Sequence, residues 1–148
     1  MITIRRQVLR PAVFLSFPLL APLALAGCSS RGRLGAGAGL VALDPRNFES
    51  EVLRSPIPVC VDFWADWCAP CRRFSPVVEE VAREFDGRLK VGKYDVDSDE
   101  SVPVKYGIEA IPTVLCFREG KVVETQIGPS SRDELRERFQ KVLGAPAR

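Results

Sequence analysis

The chain has 148 residues, 46% hydrophobic and 27% charged, and its 11 glycines and 12 prolines are too few for a low-complexity or collagen-like polymer, so one ordinary globular domain is expected. Twenty-one basic against nineteen acidic residues leave a formal charge of +2, without the basic excess of a dedicated nucleic-acid binder, and no nucleic-acid partner is expected. The absence of histidine removes the common Cys/His zinc sites, the Ser-His-Asp triad and a histidine-held haem, which leaves cysteine, carboxylate and lysine to carry any chemistry.

Met1 to Arg10 carries Arg5, Arg6 and Arg10 with no acid, and Pro11 to Ala26 follows as an apolar run whose only polar residue is Ser16, the layout of a signal peptide. The run is too short for a spanning helix, and Pro11, Pro18 and Pro22 would each remove a helix hydrogen bond inside a bilayer. It closes on Leu25-Ala26-Gly27-Cys28, which resembles the lipobox of bacterial lipoproteins. That resemblance implies a signal peptide over 1–27 and a lipidated Cys28 as mature N-terminus; an ordinary cleavage site is the plainer alternative. Cleavage takes three arginines and no acids, leaving 18 basic and 19 acidic residues, so the lipid itself must supply the membrane anchor. Arg5-Arg6 also resembles a twin-arginine export signal, although general secretion is favoured.

Residues 28–39 are expected to form the lipidated cysteine and a flexible tether, because Ser29 to Gly39 has four glycines and no apolar period. Eleven such residues span roughly 17 to 20 Å on average. A single domain over 40–148 follows.

Leu40 to Leu43 reads as a short strand, and Asp44-Pro45 as a helix N-cap and first turn for a helix reaching Leu53. Val59 to Trp64 is a β-branched and aromatic run suited to a buried central strand. Phe74, Val77, Val78, Val81, Ala82 and Phe85 repeat as the stripe of an amphipathic helix, which Pro76 should kink. Leu89 to Val96 is the next strand, and Ser98 to Tyr106 a loop with a short helix. Thr113 to Phe117 and Lys121 to Ile127 read as a hairpin around Arg118-Glu119-Gly120. Ser131 and Glu134 form a capping box for a last helix burying Leu135, Phe139, Val142 and Leu143. The order βαβαβαββα implies an α/β fold with a central mixed β-sheet flanked by helices.

Trp67-Cys68-Ala69-Pro70-Cys71 sits where the central strand hands over to the long helix. Unpaired N–H groups of a first helical turn favour a thiolate, so Cys68 is the expected exposed nucleophile and Cys71, one turn in, the resolving thiol. A zinc site would need Cys60 and Cys116 as further ligands, both on strand interiors, and a purely structural bridge over so short a loop would stabilise little.

Val61-Asp62-Phe63-Trp64-Ala65-Asp66-Trp67-Cys68-Ala69-Pro70-Cys71 is a near-complete copy of the active-site segment of the thioredoxin family. Tyr106-Gly107-Ile108 with Ile111-Pro112-Thr113, and Phe117 to Gly120 with Gly128, look like the family's second and third signatures. The resemblance covers about Leu40 to Leu143 and implies the thioredoxin fold, a protein-disulfide reductase working without a cofactor, and a redox disulfide between Cys68 and Cys71.

It further implies that Asp62 is the buried aspartate moving a proton to or from Cys71, that Lys93 is the lysine paired with it, and that Pro112 is a cis-proline. Trp67, Ala69, Pro70, Ile111, Pro112 and Gly128 are the implied substrate-binding residues, and Trp64 reads as packing. Ala69 replaces the family's usual glycine. Cys60 and Cys116 replace aliphatic residues and read as inert core filling, with a cross-strand pair as the alternative.

The combined expectation is a monomeric, membrane-anchored lipoprotein facing the periplasm or cell exterior, which reduces disulfide-containing proteins with electrons from a membrane thiol-disulfide donor. The rivals are a net oxidase or isomerase, a reductant for cytochrome c maturation, and a binding module or holdase without redox turnover.

Overall fold

The computed structural model describes residues 40–144. The expected signal peptide, the expected tether and the expected lipidation site Cys28 lie outside the described residues.

The chain runs β1 (Leu40–Leu43), α1 (Pro45–Phe48), β2 (Val59–Trp64), α2 (Ala69–Glu84), β3 (Lys90–Asp95), α3 (Ser101–Lys105), β4 (Thr113–Arg118), β5 (Lys121–Ile127) and α4 (Arg132–Gly144). The expected βαβαβαββα order is therefore present. Asp44 caps α1 by accepting from the Arg46 and Asn47 N–H groups, while Asn47 reaches back to the Asp44 N–H. The helical segment continues to Leu53 as a π-helical turn over Glu49–Leu53, closed by the Arg54 N–H on the Glu49 carbonyl. Pro76 lies inside α2 without ending it. The capping box of α4 is formed as expected, with Glu134 Oε2 accepting from the Ser131 N–H at 2.9 Å and Ser131 Oγ from the Glu134 N–H at 3.3 Å.

Five strands form one sheet in the order β1-β3-β2-β4-β5. β1 and β2 both pair with β3 in parallel, and β4 and β5 complete the sheet antiparallel. The turn joining β4 to β5 places Glu119 and Gly120 both at positive φ, 51° and 74°, the mirror-image turn whose twist matches flanking strands.

Strand alternation sends β2 side chains to two different cores. Val59, Val61 and Phe63 meet Phe48, Val52 and Tyr94 on the face covered by α1. Cys60, with Val91 and Val114 from the neighbouring strands, packs under Phe74, Val78 and Val81 of α2 and Leu135 and Phe139 of α4. Asp62, two residues along from Cys60, shares this second face. Gly92 on β3 is needed for packing, because a Cβ there would overlap the Leu43 side chain.

Cys60 and Cys116 are not inert core filling: they form a disulfide. They are register partners on β2 and β4, and both are buried. The alternation rule reveals that Cys60 faces inward but not which strand lies beside it, so the pairing emerges only once β4 is placed.

Candidate active site

The buried strand β2 ends at Trp64, and the chain turns through Ala65, Asp66 and Trp67 to start α2. The Cys68 N–H donates to the Ala65 carbonyl at 3.2 Å, which fixes the turn. Cys68 is then the N-cap residue of α2: its backbone is extended and its sulfur accepts the Cys71 N–H at 3.2 Å. An N-cap side chain satisfies one of the unpaired donors of the first turn, and here that side chain is a sulfur. No acidic residue stands in the first turn to oppose negative charge on it.

Cys68 and Cys71 are joined as a disulfide. Cys68 is less open than the sequence suggests, exposing 4% of its surface against 1% for Cys71. Ile111 and Val96 pack against the cysteine pair, and the Ile111 carbonyl oxygen lies 3.8 Å from Cys68 Sγ.

The Ile111–Pro112 peptide bond is cis. It brings the loop before β4 against the cysteines, and the Pro112 carbonyl accepts the Gly128 N–H at 2.8 Å. Gly128 has φ of 82°, a conformation that glycine adopts without a Cβ penalty. Buried Gln126 supports this turn, its Nε2 donating to the Gly128 carbonyl at 3.1 Å and to Ser130 Oγ at 2.9 Å. Of the expected substrate-binding residues, Ala69, Pro70, Ile111 and Gly128 are half-buried, Pro112 is buried and Trp67 is exposed.

Trp67 exposes 67% of its surface, and its indole N–H donates to Asp97 Oδ2 at 2.7 Å. Sequence reasoning missed Asp97, which lies in the loop after β3 and carries no motif signal. It also missed Ile127, 73% exposed and in register with Thr113, the residue after the cis-proline. Its available signal was a large apolar side chain at a strand end immediately before the turn glycine.

Asp62 is 1% exposed, and its Oδ1 has no hydrogen-bond partner among the described residues. Removal from water disfavours its charged form and pushes its pKa up to about 6, with the Lys93 charge pulling the other way. Asp62 and Lys93 are register partners on the parallel strands β2 and β3, so their side chains project to the same face. The Lys93 charge acts on Asp62 across this face, while its ammonium has contacts of its own. Lys93 Nζ donates to Ser75 Oγ on α2 at 2.6 Å and lies 4.6 Å from the centre of the Trp64 ring. Trp64 is thus both packing and a cation platform.

A vicinal cysteine pair at a helix start, a cis-proline beside it and a buried carboxyl titrating near neutrality are the parts of a dithiol-disulfide exchange centre. The thioredoxin family profile matches residues 39–141. The chain belongs to the thioredoxin family. It is 44% identical over 90 residues to a thioredoxin of Rickettsia bellii, covering 61% of this chain and 86% of that one. Against a thioredoxin of Pseudomonas aeruginosa it is 43% identical over 96 residues, 65% of this chain and 89% of the relative. Against thioredoxin C-2 of Corynebacterium nephridii it is 46% identical over 98 residues, 66% of this chain and 91% of the relative. The family makes this chain a disulfide oxidoreductase that acts on disulfide-containing proteins.

Proposed function

We propose that this thioredoxin-family enzyme is a membrane-tethered, extracytoplasmic protein-disulfide reductase, a monomer held by a lipid on Cys28. The observation that carries the catalytic reading is the Cys68 sulfur at the N-cap of α2, receiving the Cys71 N–H. In the reduced enzyme that donor and the helix N-terminus stabilise a Cys68 thiolate.

The thiolate attacks one sulfur of a substrate disulfide, forming the Cys68–substrate bond and expelling the other substrate sulfur as a thiolate, which takes a proton from water. Asp62 in its carboxylate form accepts the Cys71 proton. The resulting Cys71 thiolate attacks Cys68 Sγ, so the second substrate sulfur leaves as a thiolate and the Cys68–Cys71 disulfide is regenerated. A membrane dithiol donor returns two electrons and becomes a disulfide. Exposed Trp67 and Ile127, with half-buried Ile111 and the backbone around Pro112, present an apolar rim to an extended substrate segment.

The location is supported by the arginine-bearing start, the apolar run and the small residues before Cys28. It is also supported by the buried Cys60–Cys116 disulfide, a bond that persists in oxidising compartments and is rare in reducing ones. No described helix is long and apolar enough to cross a membrane.

Turnover of a model protein disulfide tests the chemistry: the wild-type chain should reduce it with a dithiol donor, and Cys68→Ser should not. Reduction surviving in Cys68→Ser would overturn it. Equilibration with glutathione tests direction, a potential near −270 mV fitting a reductase and one near −120 mV an oxidant. Metabolic labelling with palmitate tests the tether, with incorporation in the wild type and none in Cys28→Ala.

A further inference from the structure

We propose that Ser75 is a positioning residue for the exchange reaction: its hydroxyl holds the Lys93 ammonium in the layer between the sheet and α2, on the same face as Asp62. The inference rests on the reading of Asp62 as the proton acceptor for Cys71.

Three contacts define the arrangement. The Lys93 ammonium donates to Ser75 Oγ at 2.6 Å, its charge lies 4.6 Å from the centre of the Trp64 ring, and its strand position is in register with Asp62. Ser75 lies on α2 and Lys93 on β3, so the hydrogen bond ties helix to sheet on the side that buries Asp62. The pull in the opposite direction is also visible. Lys93 lines a cavity of about 410 Å³ beside edge strand β1, whose walls include Leu40, Ala42 and Trp64 and the carboxylates Asp44 and Asp95. Without the serine acceptor, the ammonium has water and two carboxylates to turn toward, and a flexible four-carbon stem on which to do so.

The charge that reaches Asp62 among the described residues is that of Lys93 on β3. β4 contributes Val114 as register partner, which carries no charge. In the oxidised enzyme neither cysteine titrates, so Lys93 is the charge that sets how readily Asp62 ionises within its buried site. Moving that charge outward leaves the carboxylate less compensated, and the acid form persists to higher pH.

The experiment is a carbon-13 NMR titration of the Asp62 carboxyl in the oxidised full-length chain, with wild type, Ser75→Ala, Ser75→Thr, Lys93→Gln and the Ser75→Ala/Lys93→Gln double variant. Ser75→Ala should raise the midpoint by roughly half a unit to one unit, within what an opposite charge nearby contributes. Ser75→Thr, which keeps a hydroxyl, should titrate as wild type. On the Lys93→Gln background, Ser75→Ala should add no further shift, because the serine acts through the lysine. A midpoint unmoved or lowered in Ser75→Ala, or raised equally in Ser75→Thr, overturns the proposal. The pH profile of mixed-disulfide resolution, measured on the same variants, separates this from the reading beneath it. If the carboxyl midpoint moves as expected and the rate profile does not follow, Ser75 positions Lys93 as proposed and Asp62 is not the proton acceptor.

Discussion

Replacing Asp62 by asparagine removes the one buried carboxylate of the site while keeping its shape, and the consequence for stability has a definite sign and window. Burial raises the Asp62 pKa from an ordinary 3.8 to about 6. A raised carboxyl pKa means that the folded state binds the proton more tightly than the unfolded state. The associated stability is fully present below pH 3.8 and is lost as pH rises through about 6. The size of the rise corresponds to about 3 kcal/mol. The stability of Asp62→Asn minus that of wild type should therefore grow by about 3 kcal/mol between pH 3 and pH 7 and stay level above.

Asp44, Asp99 and Glu134 have pKa values lowered by hydrogen bonds and contribute in the opposite sense in acid. They are common to both proteins and cancel in the difference. Asparagine leaves a buried amide in place of the carboxyl, a cost that does not vary with pH and so does not enter the slope. Urea unfolding of the oxidised proteins across this range measures the effect. With a denaturant slope of about 1 to 3 kcal/mol/M, the difference appears as a midpoint change of about 1 to 3 M. A difference curve flat from pH 3 to pH 7 would refute the claim that Asp62 is held protonated by desolvation.

Two further outcomes follow from the sheet. Cys60 and Cys116 close a loop 56 residues apart in sequence, so Cys60→Ala/Cys116→Ala should lose on the order of 4 kcal/mol in urea unfolding, and a loss under about 1 kcal/mol would mean that the pair does not cross-link the native chain. Gly92→Ala forces Leu43 out of its place in the core and should cost about 1 to 3 kcal/mol with little change in disulfide-exchange rate at low temperature, whereas neutral stability would show that Leu43 repacks freely.

How far the sequence reaches depends on whether a feature is local or relational. The N-cap at Asp44, the capping box at Ser131, the turn at Glu119-Gly120 and the placement of Cys68 at a helix start are decided by residues a few positions apart, and the spacing of those residues is enough to read them. The face shared by Cys60 and Asp62 follows from alternation along one strand. That Cys116 lies opposite Cys60 follows only from β4 pairing with β2, a relation between segments more than fifty residues apart.

The same distinction applies around Asp62. Its burial was legible from an acid inside an apolar strand, and the lysine beside it from the family pattern. The hydroxyl that accepts from the lysine, Ser75, sits on a different element and belongs to no motif, so it is not read from the sequence. Asp97 under Trp67 and Ile127 beside the cis-proline escaped for the same reason.

Disulfide exchange here depends most directly on the ionisation of one sulfur, and the pH dependence of alkylation at Cys68 in the reduced enzyme measures it. An uncharged alkylating reagent should react at Cys68 with a midpoint below that of an ordinary thiol, well ahead of Cys71, because the helix start and the Cys71 N–H favour the thiolate. A midpoint near the ordinary thiol value of about 8.5, or equal reactivity at the two cysteines, would contradict it.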